Sequence, residues 1–218
     1  KQESSLHIIP NFVDTDLYVT ESSTKLPAEF LSKPGFINML YAGNIGLAQE
    51  WDLVLNVAKE IRNESITIWI IGEGVKKEFV KSQIEKHNLS NIKLLPYQDR
   101  KFMPAINLFA DFHFIAMDKS MENEGFPSKV YSIMASARPM VIVSSENTPI
   151  ISFLNETNTS LLVTDHSLSG FKNAVLKLAE DKELRISLGA NGRQIIEESY
   201  TKERVIDQYT DLFEQLCK

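Results

Sequence analysis

The sequence predicts an α/β fold with a Rossmann-like, doubly wound parallel sheet and a helical extension at its carboxyl end. Strand-length apolar runs rich in β-branched residues alternate with segments of helical periodicity, as in sheets whose parallel strands are connected by helices. Beyond the last run only helical periodicity remains. The strands are predicted at residues 37–42, 66–71, 92–95, 112–117, 140–143 and 161–163, and the helices near 51–58, 75–87, 102–109, 128–137, 149–154, 168–178 and onward through 188 and 205–216.

Composition narrows the class of protein. With 218 residues, 43% of them hydrophobic, the chain can bury a full core. A net charge of −6 provides no basic surface for nucleic acid. Cys217 is the single cysteine, so no internal disulfide forms, and we expect a reducing, cytoplasmic location. No apolar run approaches membrane-spanning length. Because the chain starts at Lys1 without a Met, we expect an excised part of a longer protein.

Two loops that follow predicted strands are candidates for ligand binding, because open parallel sheets bind ligands at the carboxyl ends of their strands. The first reads Gly43-Asn44-Ile45-Gly46. Its glycines permit backbone N–H groups to approach a phosphate, although a simple tight turn gives the same pattern. The three-glycine dinucleotide fingerprint and the P-loop are both absent from the sequence.

The second loop contains Glu124 and leads through Pro127 into a predicted helix that starts at that proline. Unpaired N–H groups at a helix N-terminus, with Lys129 beside them, suit a diphosphate. Glu124 is placed to accept hydrogen bonds from sugar hydroxyls. The competing interpretations are a solvated acid for Glu124, a capping hydroxyl for Ser128 and a solvated charge for Lys129.

Several blocks, in order, resemble the carboxyl-terminal, donor-binding domain of the retaining GT-B glycosyltransferases of family 4, in the variant found in bacterial polysaccharide and O-antigen assembly. Together they span nearly the whole chain, and their order and spacing carry the resemblance. The blocks are IIPNFVD at residues 8–14, YAGNIG at 41–46, IIGEG at 70–74, and EGFPSKVY at 124–131 continuing to ASARP at 135–139.

The resemblance implies a site for a nucleoside-diphosphate sugar of the UDP or GDP type. Glu124 would contact the donor sugar and Lys129 would stabilise the diphosphate. The backbone of residues 125–128 would hold sugar and diphosphate, the first glycine loop would face the phosphates, and residues 96–98 would flank the base. The implied donor-binding residues are Gly43, Asn44, Ile45, Gly46, Gly72, Pro96, Tyr97, Gln98, Gly125, Phe126, Pro127, Ser128 and Ser132.

The resemblance also implies the domain organisation. Residues 1–198 would form the nucleotide-sugar-binding domain, and the helix in 199–218 would pack on an amino-terminal acceptor domain that this chain lacks. The acceptor would be a saccharide, including a polyprenyl-linked one, and the full-length protein would lie at the inner membrane face. We expect no cofactor and no metal, because His7, His87, His113 and His166 lack ligand spacing with other donors.

Three positions depart from the family pattern. Ser132 stands where a second Glu often binds the ribose, and Asn44 and Gln49 stand where an Arg and a Lys commonly neutralise the diphosphate. These departures keep a second function open, a non-catalytic nucleotide-sugar-binding subunit or sensor. A nicotinamide-dependent dehydrogenase is disfavoured because the glycine fingerprint and its acidic ribose residue are missing.

Overall fold

The computed structural model describes residues 7–21, 24–120 and 125–217. Within them six parallel strands form one sheet in the order β3-β2-β1-β4-β5-β6, which confirms the predicted fold class. The strands are β1 Ile37–Ala42, β2 Ile66–Ile71, β3 Ile92–Leu95, β4 Phe112–Ala116, β5 Met140–Val143 and β6 Ser160–Val163. The helices are α1 Trp51–Glu60, α2 Lys77–Lys86, α3 Met103–Phe109, α4 Lys129–Ala135, α5 Pro149–Thr157, α6 Leu168–Glu180, α7 Lys182–Ser199 and α8 Lys202–Leu216.

The central strands are apolar along their whole length because helices cover both faces of the sheet. All six residues of β2 and all five of β4 are buried. Successive side chains of a strand point to opposite faces, so Met39 and Tyr41 of β1 join the core beneath α1 and α6, whereas Leu40 joins a separate cluster beside α3. The core under α4, α5 and α7 contains Met134 and Leu154.

The predicted bounds differ from the observed ones by one to three residues at several elements, and three of these differences have a visible structural basis. Strand β4 ends at Ala116; Met117 still donates its N–H to Val143 O at 2.9 Å, but it pairs in an antiparallel bridge with Gln49. Helix α5 continues to Thr157 and stops where Asn158 adopts a left-handed conformation. Helix α4 begins at Lys129, two residues later than the proline rule predicts, and Ser128 makes no side-chain capping bond.

The carboxyl end of the chain returns to the start of the described segment. Val13 donates its N–H to Tyr200 O at 3.0 Å and forms a parallel bridge with Thr201. Helix α8 follows, and Val205 is its one buried residue among those described. Its outer face leaves Tyr209 46%, Phe213 60% and Leu216 71% exposed. In the described residues, no helix combines the length and the apolarity that crossing a membrane requires.

Candidate functional site

The candidate site lies at the carboxyl edge of the sheet, where the strand order reverses between β1 and β4. A crevice forms there in doubly wound sheets because neighbouring loops turn to opposite faces. The loop after β1 and the start of α4 meet at this point. Lys129 Nζ would lie 2.5 Å from a Cβ atom added to Gly43, so the two sequence motifs are in direct contact.

The loop of residues 43–46 is held from both sides. The Tyr41 hydroxyl donates to Asn44 O at 2.6 Å, and Trp51 Nε1 donates to Gly46 O at 2.9 Å. Gly43 has a φ of 151°, a conformation that residues with a side chain rarely adopt. The loop is therefore fixed before any ligand arrives.

Backbone hydrogen bonding divides the four amides of this loop into two pairs. Gly43 N donates to Ile71 O at 2.9 Å and Ile45 N donates to Glu73 O at 2.7 Å, so these two serve the junction with β2. The Ile45 side chain is fully buried in the core. The N–H groups of Asn44 and Gly46 have no acceptor within the described residues, so both are unpaired donors, of which Asn44 is exposed and Gly46 is buried.

Gly72 secures the same loop from the β2 side. A Cβ atom at this position would collide with Gly43 O, and the φ of 147° also requires glycine. The predicted role of Gly72 therefore has a steric basis: the backbone of β2 passes too close to the loop for any side chain.

A cavity of about 390 Å³ opens beside this loop, over the ends of β1, β2 and β3. Five predicted binding residues line it, together with four others; three of these four lie in the blocks at 41–46 and 70–74, to which the resemblance assigns no such role, and Met103 belongs to no block. Pro96 does not line the cavity, but its carbonyl accepts a hydrogen bond from Gln98 Nε2 at 3.2 Å. The predicted lining residues are Gly43, Asn44, Gly72, Tyr97 and Gln98; the added ones are Ala42, Ile71, Glu73 and Met103.

The charged group of this lining is Glu73, at the mouth of the cavity. A hydrogen bond from Lys77, at 2.5 Å, is the main reason that the pKa of the Glu73 carboxyl lies below its ordinary value, and an N–H of Tyr97 adds to it. Glu73 is thus ionised at neutral pH and already paired. A nucleoside, which carries hydrogen-bonding groups but no charge, suits this cavity better than a phosphate does.

The segment before α4 is anchored by aromatic contacts. The Phe126 ring lies 5.4 Å from the rings of Tyr131 and Phe153, measured between centroids, whereas Gly125 and Ser128 are exposed. Pro127 has no N–H, so the amides of Phe126, Ser128 and Lys129 are the ones that lack an acceptor within the described segments. They are unpaired donors at the start of a short helix.

Lys129 is the cation of the site. Its Nζ lies 3.9 Å from the centroid of the Tyr41 ring, and among the described residues no carboxylate lies within 4.0 Å of it. Burial lowers the pKa of Lys129 from 10.5 to about 8. A half-buried ammonium without a paired carboxylate favours the arrival of an anion.

Two further predicted residues have different outcomes. The Ser132 hydroxyl donates to Lys129 O at 2.9 Å, so its hydrogen is used within α4 and only its oxygen remains as an acceptor. Glu124, the predicted sugar contact, lies outside the described residues.

Sequence reasoning missed a polar cluster at the same edge of the sheet. His166 follows β6 in a left-handed conformation, and its Nδ1 lies 2.7 Å from Glu50 Oε2, near the start of α1. Its Nε2 is 3.4 Å from Ser145 Oγ, in the loop after β5. One imidazole thus links three loops that surround the crevice. The sequence does place His166 directly after a strand, which indicates a position at the carboxyl edge of the sheet. Spacing rules for metal ligands give no weight to that position.

Metal binding has no candidate among the residues that the structure describes, since no three His, Cys, Asp or Glu side chains there are grouped to hold an ion. The acidic residues Glu122 and Glu124 are outside that set. The expectation of a metal-free site remains a prediction.

Comparison with known proteins identifies the family. The family model "Glycosyl transferases group 1" matches residues 22–195. The chain belongs to this family. This supports the coarse part of the sequence-based resemblance, and the sheet topology agrees with it.

The chain matches only part of the length of its curated relatives. The chain is 28% identical over 112 residues to a putative colanic acid biosynthesis glycosyl transferase, WcaI, of Escherichia coli, covering 51% of this chain and 28% of that protein. It is 24% identical over 165 residues to the poly(ribitol-phosphate) alpha-N-acetylglucosaminyltransferase of Staphylococcus aureus, covering 74% and 32%. The chain thus spans about a third of the length of these two relatives.

A solved structure supports the fold. Anabaena HepE, in complex with UDP and glucose, superimposes with a TM-score of 0.77 at 14% identity, covering 95% of this chain and 56% of that one.

Proposed function

We propose that this chain binds the nucleoside diphosphate of a sugar donor at the carboxyl edge of its sheet, as the donor-binding part of a glycosyltransferase. The observation that carries the proposal is the contact between Lys129 and the loop of residues 43–46, next to a cavity of about 390 Å³. A cation, unpaired amides and a cavity of this size, whose charged residue Glu73 is already paired with Lys77, match the phosphate and nucleoside parts of one ligand.

The parts of the donor are assigned by charge and space. The base and ribose occupy the cavity over β1 to β3, between Tyr97 and Gly72. The diphosphate lies against the Asn44 and Gly46 amides and the Lys129 ammonium, where charge-assisted hydrogen bonds are strong. The sugar then extends toward residues 124–126. UDP is the first nucleotide to test, because HepE was crystallised with it.

The chemistry proposed for the full-length protein is transfer of the sugar, with retention, to a saccharide or lipid-linked saccharide acceptor. The acceptor oxygen bonds to the anomeric carbon, the bond from that carbon to the diphosphate breaks, and the diphosphate keeps the electron pair. Lys129 and the amides stabilise the charge that develops on the leaving diphosphate. The acceptor proton passes to a base that this proposal leaves unassigned.

The acceptor site belongs, in this proposal, to a domain outside this chain that packs on α8. Transfer requires the acceptor hydroxyl to be held against the anomeric carbon. We therefore expect no steady transfer to an acceptor by this chain alone. Slow hydrolysis of the donor is compatible with the proposal, because water enters an open crevice.

A nucleotide-binding screen tests the proposal directly. The chain is titrated with UDP, GDP and their sugars by calorimetry, with uridine and UMP to divide the affinity between base and phosphates. We expect a nucleoside diphosphate to bind more tightly than the corresponding nucleoside. If no nucleoside diphosphate binds, the proposed function is wrong.

Lys129→Ala tests the phosphate assignment. Loss of one charge-assisted hydrogen bond should weaken diphosphate binding by about 1–2 kcal/mol, roughly a five- to thirtyfold rise in Kd. Uridine affinity should be unchanged. Lys86→Ala, at an exposed lysine at the end of α2, is the matched control and should bind as the unmodified chain does. An unchanged Kd for the Lys129 variant would remove this residue from the site.

The non-catalytic alternative rests on three departures from the family pattern: Asn44 and Gln49 stand where an Arg and a Lys are common, and Ser132 stands where a second Glu often binds the ribose. It predicts binding without turnover. Full-length protein that binds the nucleotide sugar but transfers it to no saccharide acceptor would favour this alternative.

A further inference from the structure

The Lys129 ammonium has an aromatic neighbour, the first residue of the 41–46 block, which has no binding role in the proposed function. Tyr41 is 2% exposed in β1, and its ring face lies 3.9 Å from Lys129 Nζ. Three other lysine–aromatic contacts occur among the described residues, at 5.0–5.1 Å, and each joins residues three positions apart or fewer. The contact with Tyr41 is shorter and connects different elements, so it is a tertiary feature.

The Tyr41 ring is itself fixed by its surroundings. It packs edge-on against Trp51 at 5.1 Å and lies 5.6 Å from the Phe114 ring, measured between centroids. Its hydroxyl donates to Asn44 O at 2.6 Å, so the same side chain also holds the loop whose amides face the crevice. Tyr41 therefore contacts both parts of the proposed anion site, the cation through its face and the loop through its hydroxyl.

Gly43 completes the arrangement. The Lys129 Nζ atom occupies the space where a Cβ at Gly43 would lie, and Tyr41 Oη is 3.7 Å from the same point. A side chain here would displace the ammonium from the ring. The glycine thus provides room for the cation as well as the backbone conformation that the loop requires.

We infer that Tyr41 is a positioning residue for diphosphate binding: its ring holds the Lys129 ammonium beside the loop of residues 43–46, so that both meet the same anion. The inference rests on the proposed function. An ammonium held on a ring face keeps its charge without a carboxylate partner, which would compete with the diphosphate. Fixing the lysine in advance also reduces the conformational entropy lost on binding.

A double-mutant cycle tests whether Tyr41 acts through Lys129. UDP affinity is measured for the unmodified chain, Tyr41→Leu, Lys129→Met and the double variant. We expect Tyr41→Leu to weaken UDP binding about tenfold when Lys129 is present and less than about twofold in the Lys129→Met background. Uridine affinity should stay constant throughout. Equal losses in both backgrounds, or no loss for a folded Tyr41→Leu variant, would overturn the inference.

Tyr41→Phe is the conservative control. It keeps the ring and removes the hydroxyl bond to Asn44 O, so it should retain most of the affinity that Tyr41→Leu loses. If Tyr41→Phe weakens UDP binding as much as Tyr41→Leu does, the hydroxyl and not the ring is responsible, and positioning of the lysine by the ring is refuted.

A spectroscopic measurement keeps the inference testable if Tyr41→Leu does not fold. In the 13C-dimethylated chain, the Lys129 methyl signal, assigned from Lys129→Arg, should be shifted upfield of the other lysine signals by the ring current of Tyr41. The shift should persist in Tyr41→Phe. A Lys129 signal at the position of exposed lysines would refute the contact. This outcome is independent of nucleotide binding, so it separates failure of the inference from failure of the proposed function.

Discussion

Within the described residues, two surfaces are left without a binding partner, and they differ in charge, shape and polarity. At the carboxyl edge of the sheet, rigid glycine backbone lines a cavity, and the ammonium of Lys129 lies against Gly43 at its side. On α8, the exposed groups are the apolar side chains of Ile206, Tyr209 and Phe213, flanked mainly by acids. The first surface suits a small anionic ligand, and the second suits a large apolar protein surface.

The difference implies that the two surfaces act independently. The crevice is preformed by backbone bonds within the sheet and its loops, whereas α8 contributes a single buried residue, Val205, among those described. Changes in the crevice should alter nucleotide binding but not association between protein molecules, and changes on α8 should do the reverse.

The largest effect is expected from Gly72→Ala. The added Cβ would collide with Gly43 O, so the loop must move away from Lys129. We expect UDP binding to fall by more than about a hundredfold and the free energy of unfolding to fall by about 2 kcal/mol or more. Calorimetry and chemical denaturation measure the two quantities.

Gly35→Ala is the matched control for this change. Gly35 also has a positive φ, 79°, but no atom lies within 4 Å of an added Cβ. The Gly35→Ala variant should lose only about 1 kcal/mol of the free energy of unfolding, the cost of the backbone conformation, and its UDP affinity should be unchanged. Equal behaviour of the two variants would contradict the steric role of Gly72.

How much of this site the sequence predicts depends on the range of the interactions involved. The sequence predicts the loop of residues 43–46 because a glycine pair after a strand is a local pattern. Strand periodicity then places this loop at the carboxyl edge of the sheet. The contact between Tyr41 and Lys129 is tertiary, since the two residues lie far apart in sequence. They come together because β1, which contains Tyr41, lies next to β4, which precedes the helix of Lys129. Composition and spacing carry no signal for such a contact.

The errors at helix and strand ends have a local cause. Pro127 suggested the first turn of α4, but residues 125–127 run outside the helix and Ser128 precedes its first residue. Phe126 packs into the cluster of Tyr131 and Phe153, and this burial, which sequence periodicity does not show, determines the path of the segment. The predicted fold class is nevertheless correct, because it depends on the alternation of whole strands and helices and not on where each one ends.

An intermediate effect is expected from pH, through Lys129. Burial lowers its pKa to about 8, so the ammonium is charged below that pH and loses its proton above it. A diphosphate binds the charged form more tightly, and UDP affinity should therefore fall as pH rises from 8 toward 10, by no more than the roughly five- to thirtyfold expected for loss of this ammonium.

Stability should respond to the same titration with the opposite sign. Between pH 8 and 10.5 the unfolded lysine keeps its proton and the folded one has lost it, so the unfolded state binds more protons. The Lys129 contribution to the free energy of unfolding then rises with pH. Subtracting the data for Lys129→Met removes all other titrating groups. Parallel changes in affinity and stability would contradict a buried, charged Lys129.

The smallest effect on the crevice is expected from α8. Tyr209 and Phe213 lie on its uncovered face, with ring centroids 6.3 Å apart, and we expect this face to promote self-association of the isolated chain. The double change Tyr209→Ser and Phe213→Ser should lower self-association, measured by sedimentation velocity, while UDP affinity stays within about twofold, because the helix contributes one buried residue to the described core.

Gln208→Ser and Thr210→Ser, at neighbouring exposed polar positions, are the control and should leave association unchanged. The net acidity of α8 disfavours an anionic lipid surface as its partner, so vesicles rich in anionic lipid should not bind it. Loss of UDP binding in the serine variant would show that the two surfaces are coupled, and equal association of both variants would show that the apolar face has no role in it.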